Sequence, residues 1–246
     1  VNYGSPSPHQ AESQRLEAVT ACVGFDDALD ATLTLNHAHL DTMIVVTSPE
    51  DRLTQLVARK HGALCVQTDL FKKNGRNFNK GAAINAGFAR FQYFGWRLHL
   101  DADIVLPDSF RRMLFNHTVL DPDCLYGADR VDVVGLAALH ELRARGPQAA
   151  HSFLVHPNTA GDLGSRYVDT LRGYCPMGFF QLWNARNQQD YPWGLGTAAH
   201  DDIAFADQWP GTQRRHLPSV ICYHLVARPP VMGENWDGNR RQPRLS

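Results

Sequence analysis

The sequence predicts a single α/β domain with a mostly parallel central sheet flanked by helices. Three observations predict it. Short apolar and β-branched runs alternate with helical patterns up to Asp101, and such alternation folds as a parallel sheet with helices on both faces. The 246 residues are 43% hydrophobic and 20% charged, an ordinary globular composition with enough chain for one sizeable core. No internal repeat and no linker interrupts the chain, so residues 1–246 read as one domain.

The elements follow in order. Residues 1–14 are polar, carry two Ser-Pro steps and read as a loose lead-in. Residues 16–23 read as the first strand. Asp26-Asp27 opens a helix with Leu29, Leu33 and Asn36 on one face. Met43-Ile44-Val45-Val46-Thr47 is a β-branched second strand. Ser48-Pro49-Glu50-Asp51 combines a cap residue, a proline at the first helical position and an acid three after the cap. The helix it starts is expected to turn Leu53, Leu56 and Val57 inward and to stop at Gly62. A third strand covers 63–66, a loop 67–78, and a helix 80–91 aligns Ile84, Phe88 and Phe91. A fourth strand then runs to Asp101.

The second half is less regular. Asp108 is expected to cap a short helix ending near Leu114. Residues 129–134 read as a strand and 136–145 as a helix. Residues 146–172 form a long Gly-, Pro-, Asn- and Ser-bearing excursion, a length usually tied to function. A strand over 178–183, a helix over 201–208 opened by Asp201, and a last strand over 216–225 complete the pattern. From Arg228 on, Pro, Gly, Asn and Arg dominate, so 226–246 reads as a flexible tail or lid.

The formal net charge of −1 shows no global basic excess that would announce nucleic acid. No apolar run approaches the roughly 20 residues of a membrane span, and no signal-peptide pattern opens the chain. Five scattered cysteines without CxxC spacing argue against a disulfide framework or zinc site. A cytoplasmic location is the expectation.

The chemistry centres on Leu100-Asp101-Ala102-Asp103 at the end of the fourth strand. In extended chain, residues two apart point the same way, and two carboxylates that close repel unless a cation or proton lies between them. Asp-x-Asp alone equally suits a solvated loop. However, Asp26, Asp27, Asp51 and Asp69 also fall at or just after strand ends, the rim on which parallel sheets bind ligands. For Asp51 a helix-capping role suffices. Hard oxygen ligands on that rim favour Mg²⁺ or Mn²⁺ with substrate phosphates.

Further candidates lie elsewhere. His224 stands in an apolar strand, where a hydrogen-bonded core histidine is the plain alternative to a metal ligand. Asn79-Lys80-Gly81 places a lysine at a helix start, while GxxxxGK[ST] and GxGxxG are both absent. Pro192-Trp193-Gly194-Leu195-Gly196 precedes His200-Asp201-Asp202, where one acid is a candidate general base and the other a cap.

The order of these motifs resembles the GT-A glycosyltransferases, a Rossmann-like fold, and especially their family 2-like group. The resemblance rests on Leu100-Asp101-Ala102-Asp103, Asn79-Lys80-Gly81 with Asn85, Gly178-Phe179-Phe180-Gln181, the Trp-Gly-x-Gly loop with its acid pair, and the late His224. It spans roughly residues 16–225. It implies a nucleotide-sugar donor, a UDP-sugar foremost, and Mn²⁺ or Mg²⁺. Asp103 would bind the metal directly, Asp101 would face the donor ribose or the metal, and His224 would complete the site. Asp51 would face the nucleobase or ribose and Lys80 would line the donor pocket, with Asp26 and Asn85 also on the donor side. Trp193, Gly194 and Tyr174 would meet the acceptor. Asp202 falls where the family's base lies, and inverting single displacement follows from that. Asp201 replaces the family's glutamate, which leaves open which of the two acids is the base. Glycan, lipid-linked sugar, protein and hydroxymethylated DNA all remain possible acceptors.

Two other readings compete. A nucleotidyltransferase would need a basic, Gly-rich loop after the first strand, but Val23-Gly24-Phe25-Asp26-Asp27 is acidic. A non-catalytic nucleotide-sugar-binding module would show erosion at the acids or at His224, and all are present.

Overall fold

The computed structural model describes residues 13–75, 78–155, 169–170, 173–195, 197–229, 235 and 237–245. The lead-in up to residue 12, residues 156–168 and 171–172 of the excursion, and 230–234 lie outside the described residues. So does Gly196.

The strands are β1 (Leu16–Ala21), β2 (Thr42–Thr47), β3 (Leu64–Gln67), β4 (Trp96–Leu100), β5 (Ile104–Val105), β6 (Leu125–Val134), β7 (Asp169–Thr170), β8 (Gly173–Tyr174), β9 (Phe180–Asn184) and β10 (Arg214–Val226). The helices are α1 (Asp26–Asn36), α2 (Arg52–Lys60), α3 (Lys80–Phe88), α4 (Phe110–Asn116), α5 (Gly135–Ala144), α6 (Pro147–Val155) and α7 (Ala198–Ala206). Eight strands form one sheet in the order β3-β2-β1-β4-β9-β6-β10-β5, and β7 pairs with β8 apart from it. The first four in sequence are mutually parallel. β9 runs antiparallel between β4 and β6, β10 is parallel to β6, and β5 is antiparallel to β10. Among the described residues no helix is long and apolar enough to cross a membrane.

One core layer packs Leu98, Leu100, Phe110, Phe180 and Leu182 beneath α4. A second packs Ile84, Phe88, Trp183, Tyr191 and Phe205 between α3 and α7. α1 does more than cover the sheet. Buried Asn36 donates from Nδ2 to the Ile104 carbonyl and accepts from the Leu106 amide, both at 2.8 Å. Thr32 Oγ1 donates to the Ala102 carbonyl at 2.7 Å. The helix thereby grips the short segment between β4 and β5 on which Asp103 is carried.

The local start signals shift in four places. α2 starts at Arg52, and Asp51, not Ser48, is its cap, accepting from the Thr54 amide at 3.1 Å. Its buried face is Thr54, Gln55 and Ala58, whereas Leu53 and Leu56 are 52% and 54% exposed. The turn of α2 is set by Asp51 and by the Gln55 amide, which donates to the Ser48 and Pro49 carbonyls. Asp108 caps nothing. Ser109 holds the cap position of α4 without a side-chain bond, and Asp108 pairs with Arg143. α7 begins three residues before Asp201, so both acids lie within the helix. Residues 147–155 of the excursion are helical rather than loop.

Replacing Asn36 with alanine leaves a buried carbonyl and a buried amide unpaired, each worth about 1–3 kcal/mol. Urea denaturation of Asn36→Ala is expected to show a loss of about 2–4 kcal/mol. A loss below about 1 kcal/mol refutes the clamp.

Candidate active site

Two groups of side chains meet at the carboxyl ends of β4 and β10. The first surrounds the Lys80 ammonium. Lys80 begins α3, where the helix dipole disfavours a cation. It is nevertheless buried, its Nζ lying 2.9 Å from Asp101 Oδ1 and 3.2 Å from the Asp202 carboxylate. Burial alone would depress the ammonium, but Asp101 and Asp202 outweigh it and hold its pKa above the usual value.

Asp202 reaches this point from the first turns of α7. Its Oδ1 lies 2.5 Å from the Tyr191 hydroxyl, which is also 2.7 Å from Gln181 Oε1. Gln181 Nε2 donates to the Asp202 carbonyl at 3.0 Å. Burial, followed by the Asp202 charge, pushes the Tyr191 hydroxyl well above its ordinary pKa, so it remains a donor. His99 Nδ1 lies 3.2 Å from the same hydroxyl. Burial, and then the charge of Lys80, push this imidazole well below its usual range, so it is neutral. Asp202 itself is pushed up to about 6, chiefly by burial; Lys80 opposes the rise and Asp101 adds to it. The position demands Gly178: a β-carbon there would lie 1.9–2.3 Å from the Asp202 carboxyl atoms.

Asp201 faces the other way. It accepts from the Gly81 amide at 3.3 Å and the Leu195 amide at 3.4 Å, tying the Trp-Gly loop to the start of α3. Of the two acids, only Asp202 joins the Lys80 group.

The second group is Asp103, His224 and Asp132. His224 Nε2 lies 3.2 Å from Asp103 Oδ2, and its Nδ1 lies 2.6 Å from Asp132 Oδ1. Burial would raise Asp103, but His224 and then Arg130 outweigh it and lower its pKa. The residues fit a divalent ion. A carboxylate oxygen and an imidazole nitrogen 3.2 Å apart match neighbouring corners of an octahedron, roughly 3 Å apart at ligand distances of about 2.1 Å. The mixed oxygen and nitrogen donors suit Mn²⁺. Among the described residues no three His, Cys, Asp or Glu gather as a metal cluster. Two protein ligands would leave the other positions for phosphates and water, the usual state of such ions.

Asp101 and Asp103 do not share one direction. The Ile104 amide bonds back to the Asp101 carbonyl at 3.2 Å, so the backbone turns between them. The turn sends Asp101 to Lys80 and Asp103 to His224, so Asp101 stands apart from the Asp103–His224 couple.

Several expected donor and acceptor contacts take other partners. Asn85 is engaged by Tyr191, donating to its carbonyl at 2.8 Å and accepting from its amide at 2.7 Å. Asp51 accepts from the Gly24 amide and the Thr54 hydroxyl, each at 2.7 Å, besides capping α2. Asp26 is paired with Arg244 and Asp27 with Arg240. The Leu245 amide donates to Asp27 at 2.6 Å, and Arg240 lies over the Phe25 ring. Burial would raise Asp27, but Arg240 and the Leu245 amide outweigh it and hold it at about 2. The distal segment is therefore seated on the β1–α1 turn instead of hanging free. Tyr174, expected to meet the acceptor, is buried with its ring against His216. Trp193 is 47% exposed, next to Gly194 at φ 85°, and its loop packs on Gly81.

Sequence reasoning missed Tyr191, His99 and Asp132, and it quoted Gln181 without a role. For Asp132 a signal was present: an acid between valines in a strand buried on both faces.

The fold is that of the GT-A glycosyltransferases. The chain is similar to the crystal structure of glucosyl-3-phosphoglycerate synthase from Mycobacterium tuberculosis with Mn²⁺ and UDP-glucose. The TM-score is 0.52 at 13% identity, covering 96% of this chain and 80% of that one. The same synthase with Mn²⁺, UDP-glucose and phosphoglyceric acid gives 0.52 at 14% identity, covering 90% and 78%. A structure described only as a mycobacterial protein gives 0.50 at 14% identity, covering 88% and 67%. No protein-family model and no curated protein matches the sequence.

Gly178→Ala forces the Asp202 carboxylate off its seat, and overpacking of this kind costs about 1–3 kcal/mol. In a double-mutant cycle, most of that loss should vanish when Asp202 is also changed to alanine. Purely additive losses refute the contact.

Proposed function

We propose that the chain is a metal-dependent glycosyltransferase moving a sugar from a nucleotide-sugar, a UDP-sugar foremost, to an acceptor hydroxyl. The observation that carries this is the pairing, on one sheet rim, of the Asp103–His224 couple with the Lys80–Asp202 couple. The neighbouring synthase structures, solved with Mn²⁺ and UDP-glucose, support the donor class.

Asp103 and His224 would hold the ion, which supplies Lewis-acid charge for a diphosphate leaving group. Asp202 is the base. Its carboxylate accepts the acceptor's hydroxyl proton as the new bond forms at the anomeric carbon and the bond to diphosphate breaks. This is a single displacement with inversion. Tyr191 and Lys80 hold the carboxylate in place, and Asp201 secures the loop beside it. Exposed Trp193, whose loop packs on Gly81 at the start of α3, offers an apolar face for a sugar ring.

A base must be deprotonated to act. Activity is therefore expected to rise through pH about 6 and level off above it. Asp202→Asn should retain the donor-induced thermal shift in Mn²⁺ yet lose about 10²–10⁴ in turnover. If Asp201→Asn is the more damaging change, the assignment of the base is wrong. A UDP-sugar thermal shift that survives Asp103→Ala sinks the metal assignment, and release of pyrophosphate points to nucleotidyl transfer. Acceptor trials should span glycans, lipid-linked sugars, phosphoglyceric acid, proteins and hydroxymethylated DNA. Salt-dependent retention on DNA would favour the last.

The lid reading of the distal segment takes a definite form. The cavity beside Asp103, closed by Arg240, Gln242 and Leu245, is only about 20 Å³, space for about one water. Donor entry on that side then requires the Arg240–Asp27 and Arg244–Asp26 pairs to open. Trypsin should cut at Arg240 and Arg244 faster with UDP-sugar and Mn²⁺ than without. Equal rates refute this.

A further inference from the structure

We infer that Asp132 is a positioning residue. It holds the His224 imidazole in the tautomer and orientation that present Nε2 beside Asp103, and it thereby sets the affinity of that pair for a divalent ion. The metal half of this inference rests on the function proposed above. The hold on the ring does not.

Asp132 is 3% exposed among valines near the carboxyl end of β6. A carboxylate there is costly unless paired and hydrogen-bonded. Its bond to His224 Nδ1, at 2.6 Å, answers that cost. The Arg130 guanidinium, 3.7 Å away, adds charge from the same strand. Nothing in strand pairing alone makes this bond inevitable. β10 follows β6 from Arg214↔Leu125 to Leu217↔Ala128, and pairing then resumes at Ile221↔Asp129. Residues 218–220 are extra, and Pro218 cannot donate to a ladder. The resumed register sets His224 opposite Asp132. In the earlier register its partner position would have been Gly135, the first residue of α5. The bulge thus aims the histidine at the buried acid.

The consequence is chemical. With the Nδ1 proton directed to Asp132, the lone pair of the neutral ring is on Nε2, the atom 3.2 Å from Asp103 Oδ2. A carboxylate behind a metal-binding imidazole fixes the ring, selects its tautomer and raises its basicity. Asp132 would act on the ion through His224.

The test uses wild type, Asp132→Asn, Asp132→Ala and, as a control, His224→Gln. The first readout is the imidazole ¹⁵N spectrum of the metal-free protein at alkaline pH, where the ring is neutral. Wild type should show His224 protonated at Nδ1, and Asp132→Ala should shift the ring towards the Nε2-protonated tautomer. The second readout is Mn²⁺ affinity from the EPR signal of free Mn²⁺, without donor or turnover. It should fall about 10–100-fold in Asp132→Ala and less in Asp132→Asn, which keeps an acceptor oxygen. His224→Gln, which deletes the ring itself, should weaken Mn²⁺ at least as much as Asp132→Ala. A folded Asp132→Ala with unchanged tautomer overturns the hold on the ring. An affinity within about twofold of wild type in both Asp132 variants overturns the effect on the metal. Wild type that binds no Mn²⁺ overturns the metal half and with it the metal assignment, while the ¹⁵N spectra still decide what Asp132 does to His224. If Asp132→Ala fails to fold, the asparagine variant carries both readouts: a small tautomer shift and weakened Mn²⁺ are expected, and no change in either overturns the proposal.

Discussion

The arrangement depends on one buried cation. The Lys80 ammonium joins the start of α3, the end of β4 and the first turns of α7 by touching Asp101 and Asp202. Those segments are far apart in sequence. Removing one partner from such a pair leaves a stranded buried charge, at a cost of about 3–5 kcal/mol. The same contact has a chemical side. One ammonium faces two carboxylates in a desolvated pocket, so Lys80 restrains the rise of Asp202 without cancelling it. Asp202 is left with a pKa of about 6, which would suit the base of the proposed reaction near neutral pH.

The site divides into two poles because the backbone turns between Asp101 and Asp103. α1 makes that turn rigid through Thr32 and Asn36, and β10 adds the Leu225 amide bond to the Asp103 carbonyl at 2.8 Å. Each acid is left with a different partner: an ammonium for one, an imidazole for the other. On the proposed function, the first pole would serve proton transfer and the second a divalent ion.

The acidic turn after β1 shows a third use of charge. Asp26 and Asp27 engage arginines that lie more than two hundred residues further along the chain. The distal segment has no hydrophobic pattern, yet these pairs and the packing of Leu245 near Leu139 and Leu225 hold it in place. Charge complementarity achieves here what periodicity does elsewhere.

Much was legible in the sequence alone. Strand–helix alternation determined the parallel half of the sheet, because buried β-branched runs and amphipathic helices admit few other arrangements. The resemblance in motif order put Asp103, His224, Lys80 and Asp202 in one expected site, but no pattern in the sequence brings His224 to Asp103. The helical face of α2 was misread, since Asp51 and Gln55 rotate it against its own leucines. Contacts across the sheet were decided only by the tertiary structure: the turn that separates Asp101 from Asp103, the bulge that brings His224 to Asp132, and the meeting of Tyr191 with Asp202. These depend on register and on backbone direction at element ends. A one-dimensional pattern reports which residues are polar or apolar, not which distant partner a polar group will meet.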